Sequence, residues 1–185
     1  MHNMQLQISY PIARQIADHA QTQYPDEVCG LLAGTGNHIT YATPINNIAD
    51  TPNTHYQLDP SQHIKALKQI DRNNLRWIGI YHSHPNSYPI PSTTDIEDNT
   101  DTNLVHLIVS LKDTQPKLKA WQIYETSVTP IDLIFDTQSP INDAHEPLSN
   151  TQKTAIILTS IICVILMLVI SFTLLPAAPE ITAIP

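Results

Sequence analysis

A stretch near the middle of the chain joins a predicted buried strand to two histidines and a nearby carboxylate. The apolar run at residues 75–81 predicts the strand, and His82 and His84 follow directly at its end. Residues i and i+2 of a strand point to the same face, so both imidazoles can bind one ion. Pro85 ends the strand, and a Pro-rich loop returns the chain to Asp95. The fold must therefore bring three metal ligands to one point.

Two nitrogens and one oxygen leave the fourth tetrahedral position open, which is the arrangement of a catalytic rather than a structural zinc. A hydrolase with such a centre also needs a base. Glu27 lies at the start of a second apolar run and is followed by small and apolar residues. Burial there would raise its pKa toward the range that is useful for proton transfer. The sequence therefore predicts a metal hydrolase.

Each of these residues also has a plain structural interpretation. Ser92 and Asp95 match a helix-start capping pattern, and Glu27 taken alone is typical of a solvated acid at a strand edge. Cys29 is interpreted as a small buried hydrophobe rather than as a nucleophile. Among the remaining histidines, only His55 is singled out for proximity to the cleft. The others are interpreted as surface or core residues: His2, His19, His38, His63, His106 and His145.

Taken together, Glu27, His82, His84, Ser92 and Asp95 fill every position of the signature of the JAMM (MPN+) metalloproteases, and the chain resembles the short prokaryotic members of that family. The resemblance spans roughly residues 6–135. It implies one Zn²⁺ per chain, bound by His82, His84 and Asp95. It also implies that Glu27 is the general acid and base and that Ser92 helps to stabilise the oxyanion.

The resemblance further implies an α/β fold with a mixed central sheet flanked by helices, similar to the cytidine deaminase fold. Family members hydrolyse peptide or isopeptide bonds at the C-terminal tails of ubiquitin-like or sulfur-carrier proteins, so such a protein is the expected partner. An extended tail could add as a strand at a sheet edge beside the zinc. Two alternatives stay open: a membrane-tethered, non-catalytic MPN scaffold, and a protease for membrane-proximal peptides.

Composition excludes some partners. The formal net charge is -8, with 9 basic against 17 acidic residues, and nucleic-acid binding needs a basic surface. No nucleic-acid partner is therefore expected. The two cysteines do not form a disulfide framework, which favours a reducing compartment for the catalytic part.

The C-terminal part carries a long uncharged run at residues 155–175. As a helix it would be about 31 Å long, which matches the hydrocarbon core of a bilayer. Lys153 precedes the run and no basic residue follows it, which favours a cytoplasmic catalytic domain. The sequence therefore predicts a single-pass, C-terminally anchored membrane protein. Its predicted divisions are a metalloprotease domain at 1–135, a linker at 136–153, a transmembrane helix at 154–175 and a short tail at 176–185.

Periodicity and turn residues predict the elements of the catalytic domain. Strands are expected at 6–9, 27–33, 38–42, 75–81, 104–111, 118–124 and 131–135. Helices are expected at 11–23 and 60–72, with a short helix starting at Ser92.

Overall fold

The computed structural model describes residues 5–125, 127–136 and 166–167. The chain divides into two compact units, Met1–Ser139 and Pro140–Pro185. The described residues of the first unit form seven strands and three helices. In chain order these are β1 (Gln5–Ser9), α1 (Tyr10–Gln23), β2 (Cys29–Thr35), β3 (His38–Ile45), α2 (Pro60–Arg72), β4 (Arg76–His84), α3 (Thr93–Glu97), β5 (Val105–Ser110), β6 (Lys117–Ile123) and β7 (Val128–Asp136).

The seven strands form one mixed sheet that closes into a barrel in the order β1-β3-β2-β4-β5-β6-β7. Strand β1 is parallel to β3 and β7, and β4 is parallel to β5. The other neighbouring strands are antiparallel. The predicted mixed sheet is confirmed. Its closure is an added finding, and each described strand consequently has a partner on both sides.

Strand β2 is buried on both faces. Leu32 packs in the core cluster that contains Ile16 of α1, whereas Leu31 packs in the cluster that contains Ile70 of α2. A strand covered on both sides has a continuous apolar run instead of an alternating pattern, and β2 shows such a run. The two longer helices therefore contribute to separate hydrophobic clusters on opposite faces of this strand.

Strand β4 brings the two histidines to the site. It lies between β2 and β5, and a Cβ atom at Gly79 would collide with the carbonyl oxygen of Val105. Glycine at this position therefore permits the close approach of β4 to β5. The same register places His82 opposite Ile108. His82, at the end of β4, is thus paired with Cys29 of β2 on one side and with Ile108 of β5 on the other.

The start of β2 differs from the prediction by two residues, because the strand begins at Cys29 rather than at Glu27. The backbone N–H of Glu27 donates to the carbonyl of Pro52 at 2.6 Å, and its carbonyl accepts from Asn47 Nδ2 at 2.9 Å. These bonds join Glu27 to the loop after β3 instead of to a neighbouring strand. Glu27 therefore lies at the mouth of the strand and outside the sheet ladder.

The predicted membrane anchor is not supported. Within the described residues no helix is long and apolar enough to cross a bilayer, since a span needs about 20 consecutive apolar residues. The predicted span lies outside the described residues except for Leu166 and Met167. This finding corrects three predictions: the single-pass membrane localisation, the membrane as a partner, and the transmembrane part of the fold class. The boundaries at 1–135, 136–153 and 176–185 stay predictions.

Candidate metal centre

The two histidines at the end of β4 converge on one point. Both side chains are buried, with 0 % of His82 and 4 % of His84 exposed to solvent. Their Nε2 atoms lie 3.1 Å apart. The spacing predicted from strand alternation, one residue between two rings on the same face, is therefore present in the structure.

Asp95 reaches the same point from α3. Its Oδ1 lies 3.3 Å from His82 Nε2, and its Oδ2 lies 3.4 Å from His84 Nε2. Ser92 is the N-cap of α3: its backbone N–H and its hydroxyl each donate to Asp95 Oδ2 at 2.7 Å. The Asp95 backbone N–H donates back to Ser92 Oγ at 3.1 Å. A capping box therefore holds the aspartate against the histidines.

The histidine rings are oriented by separate contacts. His84 Nδ1 lies 2.9 Å from the carbonyl oxygen of Tyr88, so Nδ1 carries the hydrogen and Nε2 presents a lone pair to the site. The ring of His82 stacks on Tyr56, with centroids 4.4 Å apart and an interplanar angle of 18°. His82 Nδ1 is buried and has no hydrogen-bond partner among the residues that the structure describes.

This donor set fits a zinc ion. One donor atom from each of His82, His84 and Asp95 lies within 4.8 Å of the other two, and all three residues are buried. Two imidazole nitrogens and one carboxylate oxygen are the ligand types that zinc prefers, and three ligands leave a position open. No other such group of His, Cys, Asp and Glu occurs among the described residues.

The protonation states of the three side chains follow from burial and from their mutual contacts. Burial lowers the pKa of His82. Burial also acts to lower the pKa of His84, but hydrogen bonds with Asp95 and Tyr88 raise it overall. For Asp95, burial acts to raise the pKa, and the hydrogen bonds with His82 and His84 outweigh it and bring the pKa below its usual range. Asp95 is therefore ionised at neutral pH, as a metal ligand must be.

Glu27 is a buried carboxylic acid near this centre. Its side chain is 7 % exposed. Burial raises the pKa of Glu27 to about 7, while the charge of His84 acts to lower it and that of Asp95 acts to raise it. The raised pKa predicted from the apolar surroundings of this residue is present in the structure, and the carboxyl group can exchange a proton near neutral pH.

Asn47 fixes the backbone of Glu27, a role that the sequence did not reveal. Its amide Nδ2 donates to the carbonyls of Glu27 and His55, both at 2.9 Å. Its Oδ1 accepts the backbone N–H groups of Ala49 at 3.0 Å and Gln57 at 2.9 Å. One side chain therefore ties the loop after β3 to the acid. An Asn-Asn pair between two hydrophobic segments is a weak signal of such a role.

Ser83, between the two histidines, fixes the same segment from the other side. It is fully buried, and its Oγ accepts the backbone N–H of Val28 at 2.9 Å. Its own backbone N–H donates to the carbonyl of Val28 at 3.0 Å. Because alternate residues of a strand face opposite sides, Ser83 points away from the metal centre toward the Glu27–Val28 segment.

Two cavities lie beside the centre. One of about 370 Å³ is lined by Glu27, His19 and Asn47. The other, of about 720 Å³, is lined by Asp95, Ser92 and residues 49–51 and 54–58 of the loop after β3. Glu27 and Asp95 therefore line different cavities, and the loop after β3 contributes to both.

The remaining residues singled out from the sequence have clear positions. His55 is exposed in the larger cavity, with Nε2 3.4 Å from Thr94 Oγ1. Cys29 is fully buried, and burial raises the pKa of its thiol to about 12, as befits a packed hydrophobe. His106 was interpreted as an ordinary core or surface residue. It is buried, and it lines the larger cavity.

Comparison with known proteins assigns the family. Residues 9–124 match the model of the prokaryotic homologues of the JAB domain. The chain belongs to this family. The predicted resemblance to the JAMM (MPN+) proteins is thereby confirmed. The matched residues include all five of the signature positions.

Several relatives of this prokaryotic JAB chain are similar in sequence or in structure. A desampylase from Haloferax volcanii is 42 % identical over 88 residues, which cover 46 % of this chain and 63 % of that protein. A CysO-cysteine peptidase from Mycobacterium tuberculosis is 29 % identical over 127 residues, covering 67 % of this chain and 86 % of that one. The solution structure of protein DSY2949 from Desulfitobacterium hafniense superposes with a TM-score of 0.65 at 29 % identity, covering 70 % and 92 %.

Proposed function

We propose that this chain is a zinc-dependent peptidase or isopeptidase that hydrolyses an amide bond at the C-terminal tail of a ubiquitin-like or sulfur-carrier protein. The observation that carries the proposal is the convergence of His82, His84 and Asp95, with the buried carboxylic acid of Glu27 beside them. The names of the relatives, desampylase and CysO-cysteine peptidase, support this class of substrate.

His82, His84 and Asp95 are the proposed zinc ligands. Zinc bound there supplies a Lewis acid that polarises the scissile carbonyl and lowers the pKa of water. The chain fixes the ligands through the Tyr88 carbonyl at His84 Nδ1 and through the capping box at Asp95. These contacts orient the donor atoms before any substrate arrives.

Glu27 is the proposed general base and acid. Burial raises the pKa of Glu27 above its ordinary value, which favours a carboxylate that accepts a proton from the attacking water and then delivers it to the leaving amine. Asn47 and Ser83 hold the Glu27–Val28 backbone from two sides.

Ser92 is the proposed donor to the oxyanion. In the structure its hydroxyl donates to Asp95 Oδ2, so stabilising an oxyanion requires rotation of the hydroxyl toward the substrate. The capping bonds through the Ser92 backbone N–H would remain during that rotation. Loss of one oxyanion donor typically costs about a hundredfold or more in rate.

The substrate tail is expected to occupy the cavities and not to extend the sheet. Strand addition needs a free edge, and β4 already pairs with β2 and β5. The substrate tail therefore cannot pair with β4 as an added strand, contrary to the expectation from the sequence. A slender, extended tail suits the space beneath the loop after β3, which lines both cavities.

The rival function is a non-catalytic scaffold of the same family. Scaffolding does not require a buried acid with a raised pKa or a complete set of three ligands, and this chain has both. The catalytic proposal is therefore favoured over the scaffold.

Zinc content and cleavage test the proposal together. The full chain should hold one zinc per molecule by elemental analysis and cleave a ubiquitin-like protein fused through its tail to a reporter. Glu27→Gln should keep the zinc and lose about 10²–10⁴-fold in rate, while Asp95→Asn should lose the zinc as well. Glu125→Gln, an exposed acid in the β6–β7 turn, is the matched control and should cleave at the wild-type rate. A chain without zinc, or a Glu27→Gln variant as fast as wild type, would contradict the proposal.

A further inference from the structure

The larger cavity beside the centre is strongly acidic. Four aspartates line it, and no lysine or arginine does so among the described residues; the four are Asp50, Asp95, Asp98 and Asp101. A metal ion would offset the charge of Asp95, which leaves three carboxylates to set the potential of the cavity. Such a cleft concentrates cationic groups and repels anionic ones.

Two of these carboxylates have no structural role in the fold. Asp50 and Asp98 are exposed, and their side chains make no hydrogen bond or ion pair in the part of the chain that the structure describes. Asp101 differs, because its Oδ1 accepts from the backbone N–H and the side-chain amide of Asn103 at 2.9 and 3.1 Å. Asp50 and Asp98 are therefore available to a ligand.

His106 adds an unpartnered acceptor to the wall of this cavity. The residue is 2 % exposed, and its Nε2 lies 3.1 Å from Asn99 Oδ1. Asn99 donates its Nδ2 to the carbonyl of Ile123 at 2.9 Å, so Oδ1 is the atom that faces the ring and Nε2 carries the hydrogen. His106 Nδ1 is therefore an acceptor, and it has no donor among the described residues. This buried acceptor therefore lacks a partner among the described residues, and its residue lines the cavity.

The cavity also offers apolar surface. Trp77, Ile80 and Leu104 line it together with the carboxylates. Lysine and arginine side chains place their aliphatic stems against such surface while the charged head reaches polar groups. The wall thus matches both halves of a long basic side chain.

We propose that this cavity binds a lysine or arginine side chain of the protein substrate, held by Asp50 and Asp98, close to the bond that is cleaved. The proposal rests on the proposed function, because it assigns a specificity site to the same centre. Asp95 lines the cavity and belongs to the metal site, so the basic residue would lie on one side of the scissile amide.

A pair of matched probes tests the proposal on the full, zinc-loaded chain without any cleavage step. Nα-acetyl-lysine N-methylamide and its uncharged counterpart, Nα-acetyl-norleucine N-methylamide, are titrated separately while the ring ¹⁵N signals of His106 are followed by NMR. The lysine probe should bind at least about tenfold more tightly and move the His106 signals. The double variant Asp50→Asn/Asp98→Asn should weaken lysine binding about tenfold, since each exposed charge pair contributes about threefold. Norleucine binding should not change.

Asp71→Asn is the matched control, because Asp71 is an exposed aspartate of α2 outside the cavity. It should leave the binding of both probes unchanged. Equal binding of the two probes, unmoved His106 signals, or equal weakening by the control would overturn the proposal. Competitive displacement of the lysine probe by millimolar Mg²⁺ would also overturn it, since the cavity would then be a metal site. A chain that cleaves tails but shows equal probe binding refutes only the cavity assignment. A chain that binds lysine selectively but cleaves nothing refutes only the proposed function.

Discussion

Glu27 should destabilise the metal-free fold at high pH, and Glu27→Gln should remove that effect. Its side chain is 7 % exposed, and burial raises its pKa from 4.5 to about 7. A carboxyl group with a raised folded-state pKa binds more protons in the folded than in the unfolded chain between those two values. The free energy of unfolding therefore falls as the pH rises from about 4.5 to about 7, and the loss is complete above that range.

The size of the effect follows from the two pKa values. At 1.36 kcal/mol per unit, ionisation of Glu27 costs about 3 kcal/mol at pH 8 and less than about 1 kcal/mol at pH 5. Glu27→Gln removes the ionisation at both values. Burying the neutral amide adds a cost that does not depend on pH, so it cancels when the two conditions are compared. The free energy of unfolding of Glu27→Gln minus that of wild type should thus be about 2 kcal/mol larger at pH 8 than at pH 5.

Urea denaturation of the chelator-treated chain at both pH values measures this difference, and thermal midpoints should shift in parallel by several degrees, at about 4 °C per kcal/mol. Glu125→Gln makes the same chemical change at an exposed position. The difference in free energy of unfolding between this variant and wild type should be the same at pH 5 and at pH 8. Equal gains at pH 5 and pH 8 for Glu27→Gln would refute the reasoning, because they would show that Glu27 ionises freely in the folded chain.

Three further predictions concern the sheet and the metal. Ser83→Ala should lower the free energy of unfolding by about 1–3 kcal/mol, because it leaves the buried N–H of Val28 without an acceptor. Urea denaturation measures this loss, with Ser61→Ala as the control at an exposed position. Equal free energies of unfolding for the two variants would contradict the prediction. Gly79→Ala should cost about 3 kcal/mol or more, or prevent folding, because the added Cβ meets the carbonyl of Val105; a thermal midpoint within about 2 °C of wild type would contradict it. Removing zinc with a chelator should lower the thermal midpoint, since zinc at a hundred times its Kd stabilises the folded state by about 2.7 kcal/mol; a midpoint that does not respond to zinc would show that the folded site binds none.

The sequence was sufficient to predict the parts of the site that depend on local rules. Strand alternation predicted that His82 and His84 share a face, and the rings converge with Nε2 atoms 3.1 Å apart. The Ser-x-x-Asp pattern predicted the capping of α3, and that capping holds Asp95 in place. These relations hold because each involves residues a few positions apart on one element.

Relations between distant segments were not accessible in the same way. Tyr56 stacks on His82 from a loop 26 positions earlier in the chain, and Asn47 bonds to Glu27 across 20 positions. The residue type of Tyr56 carries no signal of its contact, and the Asn-Asn pair that includes Asn47 is only a weak signal. The acidic cavity likewise gathers Asp50 and Asp98 from two loops, and a list of aspartates does not show which of them meet.

The predicted membrane anchor is not supported, because the described residues contain no helix long and apolar enough to cross a bilayer. Residues 155–175 lie outside the described part of the chain except for Leu166 and Met167.

The sequence by itself determined the donor atoms, the strand that carries two of them and the cap that holds the third, because hydrogen-bond chemistry and the periods of strand and helix act over short distances. Only the tertiary structure decided that the sheet closes, that Glu27 lies outside its ladder, and that Glu27 and Asp95 line different cavities. Those features depend on which distant backbone groups pair, and a pairing is chosen by the packing of the whole domain.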